Sequence, residues 1–148
     1  MLGKLAKWLR LLGFDTQIAA FDERGHIDSF LSEAFIPITR TEKWRNIDGL
    51  VFIRSNDSFE QLKELISEVG LGPEDIRPFT RCSLCNAELL RIPRDAACSS
   101  VPDFVFETAT DFRQCPQCQK IYWPGSHKTR MLEKLRSVLG GIGQDLQD

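Results

Sequence analysis

Two cysteine pairs constrain this chain more than any other feature: "CSLC" at residues 82–85 and "CPQC" at residues 115–118. Each pair brackets two residues. That spacing lets a tight knuckle aim both sulfurs at one ion while neighbouring backbone N–H groups stabilise the thiolate charge. Two knuckles supply four thiolates, the tetrahedral set that structural zinc prefers. Cys82, Cys85, Cys115 and Cys118 are therefore the expected Zn2+ ligands. Four thiolates also close the coordination shell, so such an ion holds the fold and does not catalyse. The stretch 86–114, 29 residues, leaves room for the hairpin of a zinc ribbon. Pro116 pre-sets a turn inside the second knuckle, and Asn86, just past the first, tolerates left-handed backbone. Cys98, the fifth cysteine, reads as a small buried hydrophobe. His127 lies beyond a ligand set that is already complete and reads as a surface or helix-start residue.

The opening "MLGKLAKWLRLLGFD" places Leu2, Leu5, Leu9 and Leu12 on one helical stripe, with Lys4, Lys7 and Arg10 opposite. The segment has no unbroken apolar core and no small-residue cleavage site, so it is not a secretory signal. No run approaches the ~20 apolar residues of a membrane span. The reading is a core-packing helix with a basic solvent face, ended by Gly13. These features predict no membrane association and a reducing, cytoplasmic location, where paired cysteines bind metal more readily than they form disulfides. Net charge is −2 over 148 residues, so any nucleic-acid contact must come from a local patch.

Residues 1–78 then alternate. "FDTQIAA" reads as a loop into a short strand, and "IDSFLSEAF" as a short helix with Phe30, Leu31 and Ala34 as its apolar positions. "IPITR" reads as a strand with Pro37 at an edge or bulge, and "GLVFIRS" as a firmer strand. "SNDSFEQLKELISEVGL" is a helix with capping residues at its start, a stripe of Phe59, Leu62, Leu65, Ile66 and Val69, and Gly70 at its end. Helices alternating with apolar strands predict an α/β layer with a parallel sheet. "LGPEDIRPFTRC" reads as a linker. Beyond it lie strand-like pieces, "ELLRIP", "FVFETA" and "KIYWPG", then a helical stripe over residues 128–139 and a glycine-rich tail over 140–148. The expected organisation is an α/β domain over 1–78, a zinc ribbon with a C-terminal helix over 79–139, and a flexible tail.

"MLGKLAKWLRLLGFDT", the "TR" of "ITRTEKW", "LVFIRS", the paired CxxC motifs and "YWPGSH" occur here in one order. In this the chain resembles the PIN-like ribonucleases with a C-terminal zinc ribbon, the Mut-seven C-terminal RNase domain family, over about residues 1–136. The resemblance implies a PIN-like parallel sheet with flanking helices, cleavage of RNA phosphodiesters, and carboxylates at the carboxyl edge of the sheet holding Mg2+ or Mn2+. It also implies a short strand ending in Asp before the Met-Leu-Gly. That first strand is missing from a chain that begins at Met1, through either loss or a start assigned too late. Where the family usually reads "LTRD", this chain reads "ITRT", so Thr41 stands in the place of an acid. Asp22, Glu23 and Asp28 are the remaining catalytic candidates, with Glu42 and Asp57 as weaker ones. RNA contact would draw on Lys4, Lys7, Arg10, Arg40, Lys128, Arg130, Lys134 and Arg136, with Trp8, Tyr122, Trp123 and His127 as stacking surfaces. The expectation is a metal-dependent ribonuclease of reduced or lost activity. The alternative is a non-catalytic RNA- or protein-binding zinc-ribbon module. A sheet edge left open by the missing strand would suit a protein partner or a second copy.

Overall fold

The computed structural model describes residues 2–123 and positions 130, 133 and 134. The leucine stripe forms helix α1, Gly3–Leu11. Leu5, Leu9 and Leu12 are buried and Leu2 packs beside them. Gly13 stops the helix with φ +94°. The Gly13 N–H bonds the Arg10 carbonyl and the Phe14 N–H bonds the Leu9 carbonyl, satisfying groups that the helix end leaves open. A β-carbon at position 13 would collide with the Arg77 backbone oxygen, so both the left-handed turn and the close approach require glycine.

Lys4 and Lys7 are exposed as the wheel predicts. Arg10 is not. It is only 7% exposed, and its guanidinium is spent on backbone carbonyls of the loop behind the helix and of the distant Ser83 and Leu84. The basic solvent face of α1 thus consists of the two lysines. A second correction concerns "FDTQIAA", which is irregular and forms no strand.

Helix α2, Arg24–Ser32, buries Ile27. Phe30, outside that buried position, meets Phe21 and Phe35 edge-on at 6.4 and 6.5 Å. Strands β1, Ile38–Thr39, and β2, Val51–Phe52, run parallel, with Ile38 opposite Val51 and Thr39 opposite Phe52. Helix α3, Ser58–Val69, returns across them. Its start is fixed by the Asp57 carboxylate, which accepts the Phe59 and Glu60 N–H groups at 3.0 Å. Its end is fixed by Gly70 in the left-handed region. Val51 of β2 and Ile53 just past it pack with Leu62 and Leu65 of α3 and with the α1 leucines as one core. The parallel sheet expected from the helix–strand alternation therefore exists as a two-stranded pair among the described residues. Beside β1, which pairs only with β2 among the described residues, lies an apolar groove of about 800 Å3 whose walls include Leu2, Leu5, Phe14, Ile36 and Val69.

The proline-rich stretch after α3 is tied down. Ile76 is buried in the first core, and the N–H groups of Arg77 and Phe79 bond the carbonyls of Leu12 and Leu11, each at 2.8 Å. An antiparallel sheet follows, built from β3, Leu90–Ile92, β4, Phe112–Gln114, and β5, Ile121–Tyr122, with β4 central. "FVFETA" is not a strand but lies in a helix. Two short helices, α4 (Arg94–Ala97) and α5 (Asp103–Thr108), fill the hairpin. Ala97, Val101, Val105 and Ala109, each four residues on from the last, are all buried against Phe112 and Ile121. That is helical spacing, and Pro102 with Asp103 starts the turn. The Phe-Val-Phe alternation that suggests a strand leaves Phe104 exposed. Cys98 is also exposed rather than buried. The stripe expected over 128–139 lies outside the described residues except at positions 130, 133 and 134, as do Lys128, His127, Arg136 and the tail 140–148. No helix among the described residues is long and apolar enough to cross a membrane.

Candidate functional site

The two cysteine pairs fold into copies of one knuckle. In the first, the Asn86 N–H bonds the Cys82 carbonyl at 2.9 Å, and the Cys82 N–H bonds the Ala87 carbonyl at 2.9 Å. In the second, the Gln119 N–H bonds the Cys115 carbonyl and the Cys115 N–H bonds the Lys120 carbonyl, both at 3.0 Å. Asn86 and Gln119, each directly after its pair, both adopt φ +67°. This left-handed step turns each chain away and leaves N–H groups facing sulfur: Cys85 N–H on Cys82 Sγ at 3.4 Å, Cys118 N–H on Cys115 Sγ at 3.5 Å. The four Sγ atoms lie within 4.8 Å of one another. Zn–S bonds of ~2.3 Å arranged tetrahedrally imply S···S edges of about 3.8 Å, and Cys82 and Cys118 are 3.8 Å apart. The residues fit a four-thiolate metal site. Cys82 and Cys115 form its buried floor, and Cys118 is at the surface.

Tyr122 completes the surroundings. Its hydroxyl lies 3.1 Å from Cys82 Sγ and accepts the Ser83 N–H at 3.2 Å. Burial pushes the Cys82 thiol up, but the Tyr122 hydroxyl and the N–H groups of Cys85 and Leu84 outweigh it and bring the thiol down to about 7. The Cys85 thiol is pushed up to about 12 by its hydrogen bond with Cys118, then by burial and by the charges of Cys82 and Cys115. Burial, then the Cys82 sulfur, raise the Tyr122 hydroxyl to about 12, so it remains a donor. One thiolate therefore forms readily, and gathering all of them calls for a cation in their midst. The sequence offered Tyr122 only as a stacking surface. The signal for its actual place was its position four residues past Cys118, on the strand leaving the knuckle.

Arg10 joins this centre to the first half of the chain. It donates through Nη1 to the Ser83 carbonyl at 3.0 Å and the Leu84 carbonyl at 3.3 Å, inside the first knuckle, and through Nε to the Thr16 carbonyl at 2.9 Å. Asn86 accepts the Thr16 N–H at 2.9 Å and donates to Asp15 at 2.7 Å. Arg81 reaches back to the Gly13 carbonyl. The knuckle is thus bonded to the end of α1 and to the loop behind it.

The carboxyl ends of β1 and β2 have a different character. Thr41 is exposed there, its N–H bonded to Thr39 Oγ1 at 3.1 Å. Asp22 and Glu23 are exposed ahead of α2, and Glu23 makes no side-chain cap bond. Asp28 pairs with Arg24 one turn along the exposed face of α2 at 3.1 Å. Glu42 pairs with Arg45 at 3.3 Å, and Asp57 is occupied as the α3 cap. Glu64, which the sequence did not single out, accepts the N–H groups of Arg54 and Ser55 at 2.9 and 2.8 Å. Among the described residues, the four cysteines are the only group of three or more His, Cys, Asp or Glu side chains placed to share a metal. Asp22, Glu23 and Asp28 form no such group of three.

Lys4, Lys7 and Arg130 are exposed and Arg40 is half-buried. Lys134 lies over the Phe59 ring at 5.3 Å, and Phe59 meets Trp8 at 4.6 Å. Trp8 is thereby a packing residue against α3, and Trp123 packs on the second core.

These features combine an α/β half carrying a parallel strand pair with a four-cysteine half bonded to its first helix. No curated protein and no solved structure matches the chain. The family model for the Mut7-C RNAse domain matches residues 1–135, and the chain belongs to that family.

Proposed function

We propose that this chain holds RNA phosphodiesters on a Mut7-C scaffold and hydrolyses them weakly or not at all with Mg2+ or Mn2+. The observation that carries this reading is Thr41, exposed just past the end of β1 and uncharged where the family usually has an acid. An ion such as Mg2+ keeps several of its waters and is held by one or two carboxylates together with substrate phosphates, so each missing acid removes a large share of its anchoring charge. Any residual cleavage rests on Asp22, Glu23 and Asp28. Cys82, Cys85, Cys115 and Cys118 hold zinc, whose closed shell makes it a structural element. Lys4, Lys7, Arg40 and Arg130 neutralise phosphates without reading sequence, with Lys128 as a further candidate.

The test is a cleavage assay of the chain on unstructured RNA with Mg2+ or Mn2+, beside a Thr41→Asp variant. The expected result is weak cleavage by the chain and at least about tenfold more by the variant, a gain of about 1.4 kcal/mol in transition-state stabilisation. Strong cleavage by the unaltered chain, abolished by Asp22→Ala, Glu23→Ala and Asp28→Ala, contradicts it. The second reading, a purely binding module, is favoured by Lys4 and Lys7, both exposed on α1. It predicts RNA binding with no cleavage by either protein.

A further inference from the structure

Three arginines line one small cavity at the carboxyl ends of β1 and β2. Its volume is about 230 Å3 and its walls are Arg40, Glu42, Arg45, Phe52, Ile53 and Arg54. Three cations and one carboxylate give this lining a formal charge of +2. The charges are poorly satisfied within the protein. Arg40 Nε is buried and makes no hydrogen bond among the described residues. Its Nη2 makes one long bond, 3.4 Å, to the Arg54 carbonyl. Arg45 is spread over the Phe52 ring, 5.2 Å from its centre, and its partner Glu42 is 73% exposed. An exposed pair of that kind contributes at most about 1 kcal/mol and yields easily to a competing anion. Arg54 is anchored at its root, where Glu64 holds its backbone N–H at 2.9 Å, and its side chain is exposed.

We propose that this cup binds a phosphate monoester, the terminal phosphate of an RNA strand. The inference rests on the RNA reading above and names the group that the sheet edge takes. One consideration selects a monoester over an internal diester. A phosphate monoester carries about −1.5 to −2 charge at neutral pH, which matches the lining, whereas a diester carries one charge. Guanidinium forks supply the paired N–H donors that phosphate oxygens accept.

The experiment uses the full zinc-loaded chain and one short single-stranded RNA in three end forms: 5′-phosphate, 3′-phosphate and hydroxyl at both ends. Affinities are read by fluorescence anisotropy, and inorganic phosphate is titrated separately by calorimetry. One phosphorylated form should bind at least about tenfold tighter than the hydroxyl form, and which one identifies the end. Arg45→Gln with Arg54→Gln, both at exposed positions, should erase that preference while leaving the hydroxyl form's affinity within about twofold. Arg40→Gln should also erase the preference if the protein melts normally, and should weaken the hydroxyl form as well. Equal binding of the three forms, or a preference that survives the Arg45→Gln, Arg54→Gln variant, overturns the proposal and leaves the RNA reading standing. Arginine-dependent binding of inorganic phosphate with no binding of any RNA upholds the cup and overturns the RNA reading. Absence of both overturns the cup as well.

Discussion

The two knuckles repeat one another bond for bond, whereas the carboxyl ends of β1 and β2 gather side chains from separate turns with no internal copy. In the knuckles, each ligand lies within three residues of its partner, and the same backbone bonds recur around Cys82 and Cys115. At the sheet edge, Arg40, Glu42 and Arg45 follow one strand and Arg54 the other. The first region concentrates negative charge that a metal must neutralise. The second concentrates positive charge that an anion must neutralise. On the reading proposed above, the fold separates the ion that holds it together from the ligand it serves.

The largest expected effect tests the first region. Cys115→Ser, or chelation of the metal, removes a contribution of the order of 10 kcal/mol. Hydrogen exchange should show loss of protection across β3, β4 and β5, while α1 and α3 keep theirs. A fully protected antiparallel sheet in the metal-free protein would break the comparison.

A smaller effect tests the joint between the regions. Arg10→Met strands three backbone carbonyls and should cost about 2–3 kcal/mol in urea unfolding, against less than about 0.5 kcal/mol for Lys7→Met on the exposed face. Equal costs would mean that Arg10 does not tie the knuckle to α1.

The smallest effect sharpens the metal site. Tyr122→Phe deletes the hydroxyl 3.1 Å from Cys82 Sγ and should weaken zinc about 10- to 100-fold in competition with a chromogenic chelator, with the fold retained. Unchanged affinity would make Tyr122 a packing residue only.

These differences also explain what could be read from the sequence. The knuckles were legible because spacing alone defines them, and α3 because Asp57 and Gly70 mark its ends locally. Arg10 was misread because a helical wheel knows only its own helix, while the carbonyl that Arg10 binds in the knuckle is 73 residues away. Helix α5 was misread because a short aromatic alternation hid a four-residue repeat running from Ala97 to Ala109. β4 was missed because its burial comes from a core formed by those same helices. The arginine cup was invisible for the same reason as the fate of Asp22, Glu23 and Asp28. Convergence at a sheet edge depends on how loops return, and no local pattern encodes it. Three arginines near strand ends were the available signal.

The division of labour between the two regions is tested most directly by counting metals on the full chain. Protein purified under reducing conditions is equilibrated with excess Mn2+, desalted and weighed by native mass spectrometry. The account predicts one zinc per chain, absent from Cys115→Ser, and no bound manganese. Stoichiometric manganese lost on Asp22→Ala, Glu23→Ala and Asp28→Ala, or a chain without zinc, would contradict it.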